Sequence, residues 1–204
     1  MNAPNTTRAS NDLAVLCAVL LAAFSMPLSF TGPAVATPAI GDALAGSPIA
    51  LKWITNAFML AFGSTLMAAG ALADMFGRKR VFILGVIGFS LTSLALSFAP
   101  NLLVLDVLRA LQGIAGSAAF AGGAAALAQV FEGPARTRAF SLLGTTFGAG
   151  LAFGPLLSGY LIEKLGWRSV FLTVTVITIC AFIVGSRWMQ ESRDPDAKDR
   201  KSVV

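Results

Sequence analysis

Long apolar runs, broken at near-regular intervals by short polar stretches, set the pattern of this chain. A helix that crosses a bilayer needs about 20 mostly apolar residues. Runs of that kind cover 13–37, 49–73, 81–99, 102–131, 139–162 and 169–189, and they predict six spanning helices. The separators are GDALAGSP, DMFGRKR, a break at Pro100-Asn101, EGPARTR and EKLGWR. The expected fold class is all-α: a polytopic membrane protein whose six transmembrane helices form a bundle over 13–189. Residues 1–12 form a cytoplasmic N-terminal segment in this reading. Residues 190–204, QESRDPDAKDRKSVV, are a charged cytoplasmic tail with no apolar face, expected to be disordered. Small residues near Ala34–Ala36 give the first run some likeness to a secretory signal. Five further runs follow it and Asp12 stands directly before it, so it is read as a retained helix.

Composition supports a membrane solvent. The 204 residues are 56% hydrophobic and 12% charged, whereas a soluble domain carries about a quarter charged residues. The formal net charge of +5 has no aromatic-basic surface or reading motif beside it, so nucleic acid is not expected as a partner. Loop cations fix an orientation instead. With the N-terminus inside, the inner side holds Arg8, Arg78, Lys79, Arg80, Arg136, Arg138, Arg187, Arg193, Lys198, Arg200 and Lys201; the outer side holds Lys52, Lys164 and Arg168. That bias places both termini in the cytoplasm and the protein in the inner (plasma) membrane.

The chemistry of enzymes is largely missing. There is no histidine, which removes histidine-dependent triads, HExxH zinc sites and histidine proton shuttles. Neither a GxSxG elbow nor a GxxxxGK phosphate loop occurs. No metal site, cofactor or catalytic residue is assigned. Cys17 and Cys180 lie inside apolar runs without partner spacing and are expected to be buried free thiols.

Two ionisable groups fall within a span, Asp106 and Arg109, at a spacing that lets them face each other. Gln112, Gly113, Gly116 and Phe120 continue the same stripe. Intramembrane charge is expensive and marks function more often than not. One reading makes the pair a structural salt bridge. The other makes it a cavity wall, with Arg109 holding charge and Asp106 exchanging a proton. Ser29, Thr31, Thr55, Asn56 and Gln129 are further polar candidates. In the fifth run, Gly144, Gly148, Ala152, Pro155 and Gly159 share one face, and Gly150 and Gly154 form a neighbouring strip. Small residues let backbones approach closely in a bilayer, so this helix is expected to be tightly packed, with a bend at Pro155.

Three motifs carry a resemblance. GALADMFGRKR, with Gly70, Asp74, Gly77, Arg78 and Lys79 in place, is similar to the signature loop between the second and third helices of the major facilitator superfamily. Met75 stands where the family often has arginine. LDVLRALQG resembles the fourth-helix motif through Arg109, Gln112 and Gly113. GAGLAFGPLLSG resembles the fifth-helix motif of the antiporter branch through Gly150, Gly154, Pro155 and Gly159, with Ser158 and Ser141 replacing glycines. LKWITNAFMLA and GWRSVF resemble the fourteen-helix drug:proton antiporters. The likeness spans residues 13 to 190.

The resemblance implies one six-helix half of a transporter that moves small, amphipathic or drug-like solutes by alternating access. Asp106, Arg109, Gln112, Asn56, Ser29 and Thr31 would line the solute or proton path. Gly70, Asp74, Gly77, Arg78 and Lys79 would form a cytoplasmic gate, whose aspartate takes a basic partner and caps a neighbouring helix. Gly113, Gly150, Gly154, Pro155 and Gly159 would supply packing and a pivot. Antiporters of this branch carry an aspartate in the first helix; here LSFTGPAVATPAI has Ser29 at that place, and Pro33 is extra. Proton coupling would then fall to Asp106 or be absent. Members have two halves with the path between them, so the expected partners are the lipid bilayer, a small-molecule substrate, and a second six-helix half or a homodimer. The alternative is an orphan or truncated half without transport of its own that associates with a full carrier.

Overall fold

The computed structural model describes residues 6–191. The parts of the predicted terminal segments at 1–5 and 192–204, including Arg193, Lys198, Arg200 and Lys201, lie outside the described residues. Six helices account for nearly all the rest: α1 (Thr6–Leu44), α2 (Pro48–Phe76), α3 (Arg78–Leu96), α4 (Leu102–Val130), α5 (Gly133–Leu165) and α6 (Arg168–Trp188). Each is long and apolar enough to cross a membrane, as the run pattern predicts.

α1, α2 and α5 exceed their apolar runs, whereas α3, α4 and α6 match theirs in length to within a residue. α1 continues through Gly41, Asp42, Ala43 and Leu44, and α5 begins at Gly133, ahead of Pro134 and Arg136. Hydropathy marks the part of a helix that lipid or protein must cover, whereas the backbone keeps its hydrogen bonds into polar residues beyond it. The DMFGRKR stretch shrinks to a single non-helical residue, Gly77. Side-chain caps set the starts of α2 and α4. The Ser47 hydroxyl accepts from the Ala50 N–H at 3.3 Å with Pro48 at the first helical position, and Asn101 Oδ1 accepts from the Val104 N–H at 2.9 Å.

Packing follows an internal symmetry. The main pairings are α1 with α5, α2 with α4, α1 with α6, α3 with α4, and α3 with α6. This set is unchanged when α1–α3 are exchanged for α4–α6, two triplets that enter the bundle in opposite directions. α1, α3, α4 and α6 are the more buried helices, and α2 and α5 keep most of their surface outside.

Small residues make the central contacts. A Cβ added at Gly113 would lie 2.5 Å from Phe58 O and 2.9 Å from Phe62 N of α2; at Gly122 it would lie 2.6 Å from Phe82 N of α3. Gly85 of α3 sits equally close to the backbone of Ala118 and Ala119. Such backbone-to-backbone approach replaces the hydrophobic effect, which lipid cannot supply between helices. α5 behaves differently from the expectation. Gly150 and Gly154 meet Pro27 and Thr31 of α1, but Gly144, Gly148 and Gly159 have nothing within 4 Å. Only one of its two small-residue strips is packed, because α1 is the main helix it lies along. The thiols also differ from expectation: Cys17 and Cys180 are both exposed on the outside of the bundle, where lipid serves an apolar sulfur as well as a core does.

Gly122→Ala is expected to cost about 1–3 kcal/mol through overpacking of α4 on α3. Gly144→Ala, with open space around it, should be neutral or slightly stabilising. Melting of the purified protein in mild detergent would show this contrast, and equal losses would contradict the packing described.

Candidate functional site

Arg109 lies at the centre of the bundle with none of its surface exposed. Its Nε donates to Ile54 O of α2 at 2.7 Å and its Nη2 to Ser29 O of α1 at 2.7 Å. Nη1 donates to Gln112 Oε1 one turn along α4. The guanidinium carbon stands 4.3 Å from the centroid of Phe58, giving a cation–π contact. Gln112, also fully buried, passes the network on: its Nε2 donates to Ser93 Oγ of α3 at 2.6 Å, and Ser93 Oγ donates to Phe89 O. One planar fork therefore ties α1, α2 and, through Gln112, α3 to α4.

Among the described residues no ion pair joins Asp106 to Arg109, although the spacing permits one. Asp106 is half-buried and its Oδ1 is enclosed without a hydrogen-bond partner. The i, i+3 rule describes pairs on a bare helix surface; in the bundle, carbonyls from α1 and α2 reach the guanidinium first. Ser29 meets Arg109 through its backbone, while its buried hydroxyl has no partner. Thr31 donates to Pro27 O of its own helix at 2.9 Å and lies against Gly154. Asn56 is apart from these, on the wall of a groove of about 530 Å³ between α1 and α2 that also includes Ala34, Thr37, Lys52 and Thr55. The structure thus brings Arg109, Gln112 and Ser29 together and leaves Asp106, Thr31 and Asn56 in separate surroundings.

The α2–α3 junction has its own geometry. Asp74 Oδ1 and Arg78 Nη2 form an ion pair at 3.4 Å within the junction. Gly77 takes φ +113°, a conformation that other residues rarely adopt, and a Cβ there would meet the Glu191 carboxylate. Lys79 Nζ donates to Ser186 O in the last turn of α6 at 3.0 Å, where a cation complements the helix dipole. Arg80 Nε pairs with Glu191 Oε2 at 3.5 Å. Glu191, which falls in the segment expected to be disordered, is therefore engaged. Gly70 has open space around it.

A second feature was not anticipated. Phe30 of α1, Phe58 and Phe62 of α2, Phe120 of α4 and Phe147 of α5 form a continuous aromatic cluster, with ring centroids 5.0 to 6.2 Å apart. A cavity of about 360 Å³ opens on it, lined by Phe30, Met59, Phe62, Phe147 and Leu151. The i, i+4 spacing of Phe58 and Phe62 is visible in the sequence, but convergence of rings from four helices is not. Ser93, Thr65 and Ser117 likewise lie outside the sequence motifs; the last two share a hydrogen bond of 2.7 Å between α2 and α4.

These features define a polytopic membrane protein in which an inverted three-helix repeat surrounds a buried arginine network. Residues 19–203 match the model of the Major Facilitator Superfamily, and the chain belongs to that family. It is thus an integral membrane protein of a family of transporters, not enzymes. The multidrug efflux pump LfrA of Mycolicibacterium smegmatis is 33% identical over 195 residues, covering 95% of this chain and 39% of that protein. The tetracenomycin C resistance and export protein of Streptomyces glaucescens is 32% identical over 178 residues, covering 87% of this chain and 33% of that protein. The chain thus spans between a third and two fifths of the length of these relatives. Among solved structures, a peptide transporter POT in complex with sulfate superposes with a TM-score of 0.76 over 94% of this chain and 42% of that one; the identity is 15%, so the likeness concerns the fold.

Gln112→Leu would leave one guanidinium N–H group without its acceptor and remove the donor to Ser93 Oγ, and is expected to cost about 1–3 kcal/mol. Lys79→Met removes one peripheral helix-end contact and should cost less than about 1 kcal/mol. Denaturation of both variants in detergent would check the order; the reverse order would place the main constraint at the junction.

Proposed function

We propose that this chain acts as one half of a transporter that moves small amphipathic or drug-like solutes by alternating access. The observation that carries the reading is the aromatic cavity on α1, α2 and α5. The same α2 and α5 leave Gly63, Gly70, Gly144, Gly148 and Gly159 without neighbours. A cavity of this size and apolar character suits a flat, partly apolar solute. The open small-residue faces suit close docking of a second six-helix unit, whether another half or a second copy. Relatives that carry export and efflux in their names support the same reading.

The roles then divide. Phe30, Met59, Phe62 and Phe147 contact solute. Arg109 and Gln112, without exposed surface, hold the helices that carry those rings. Asp106 is the carboxylate within the spans that is left to exchange a proton, since Ser29 occupies the first-helix position. Asp74, Gly77, Arg78 and Lys79 form a gate at the inner end, and Gly150, Gly154 and Pro155 form the pivot of α5 against α1. The protein would lie in the inner membrane with both termini in the cytoplasm, residues 1–12 and 190–204 flanking the bundle.

Reconstitution in liposomes tests this. The chain should move a drug-like dye, alone or with a second half supplied. Phe62→Ala with Phe147→Ala should weaken dye binding about tenfold, given roughly 0.5–1.5 kcal/mol for each aromatic contact. Asp106→Asn should abolish any pH dependence of transport while leaving binding intact. Absence of both binding and transport, together with association with a complete carrier, would replace this reading with that of an orphan half.

A further inference from the structure

Pro33, inside α1, gives Arg109 an acceptor that has no helical donor of its own. In an α-helix the carbonyl of each residue takes the N–H four positions on. Proline has no N–H, so Pro33 leaves Ser29 O without its helical donor. Ser29 is 2% exposed, and an unpaired buried carbonyl is unfavourable. Arg109 Nη2 fills this vacancy from α4 at 2.7 Å. The neighbouring Gly32 sits where a Cβ would strike Val170 Cγ1 and come within 3.0 Å of Ser158 Oγ, so α5 and α6 close on the same point.

We propose that Pro33 and Arg109 form a single hinge device. The proline opens an acceptor in α1, the guanidinium occupies it, and the segment 34–44 is thereby fixed against α4. Loss of that bond leaves the segment held by its buried side chains Ala36 and Ile40 alone, and it turns more readily about Ser29–Pro33. Ala34 and Thr37 of this segment form one wall of the groove whose other wall carries Lys52 and Asn56, so turning it changes the width of that groove. Pro33 is a positioning residue in this scheme, acting through Arg109. The inference does not depend on whether the chain carries solute.

Hydrogen–deuterium exchange of the full chain in lipid nanodiscs tests the coupling. Arg109→Lys keeps the charge but loses the planar fork. It should raise exchange of amides 34–44 at least tenfold, with less than twofold change over 11–26. Pro33→Ala restores an N–H that can serve Ser29 O. In that background Arg109→Lys should raise exchange of 34–44 less than threefold. The bonds from Arg109 to Ile54 and Gln112 are perturbed in both backgrounds, so the difference isolates the Ser29 carbonyl. An equal rise in both backgrounds overturns the proposal, and so does loosening spread evenly over the whole of α1. If Arg109→Lys fails to fold by itself, recovery of folding in the double variant supports the coupling, and failure of both variants counts against it.

Discussion

The arrangement depends on a buried cation served by neutral groups. Removing a guanidinium from water costs several kcal/mol unless its donors are satisfied. Arg109 is satisfied by two backbone carbonyls and one amide oxygen, with the face of Phe58 beside it. Those groups come from different helices, so the cation is tolerated only when α1, α2 and α4 are correctly assembled. The same demand explains the small residues. Backbones must approach closely for a side chain of fixed length to reach Ser29 O and Ile54 O together, and Gly113 permits the approach of α2 to α4 at this level.

This dependence also separates holding residues from contacting ones. Arg109 and Gln112 have the chemistry of a binding site and no surface with which to bind. Phe30, Phe62 and Phe147 line the open cavity and carry no charge. Phe58 joins the two groups, one face toward the guanidinium and its ring in contact with Phe30 and Phe62. Phe58 therefore lies between the arginine network and the rings that line the cavity.

Much of the fold is legible in the sequence, because the bilayer imposes a length that apolar runs must meet. The number of helices, the stripe at Arg109, Gln112 and Gly113, and the two strips of α5 can all be read from spacing. What cannot be read is which neighbour each face meets. Asp106 and Arg109 are spaced for each other, yet the arginine binds carbonyls, which every residue possesses and no residue type announces. The glycine strips of α5 look alike in sequence; only the position of α1 decides that Gly150 and Gly154 are packed while Gly144 and Gly148 are open. The aromatic cluster is hidden for a related reason: its rings are separated by up to 117 positions between Phe30 and Phe147, and periodicity reports only what lies on one helix.

The junction at Gly77 carries one further consequence. With a single residue between α2 and α3, the chain has no slack with which to absorb a change in length. One added residue would turn α3 by about 100° about its axis, carrying Gly85, Phe89 and Ser93 off the face that meets α4. In evolution such a site accepts substitution under narrow limits and insertion hardly at all. The phase of a whole helix, and with it the fit of half the bundle, is stored in the reading frame of one peptide unit.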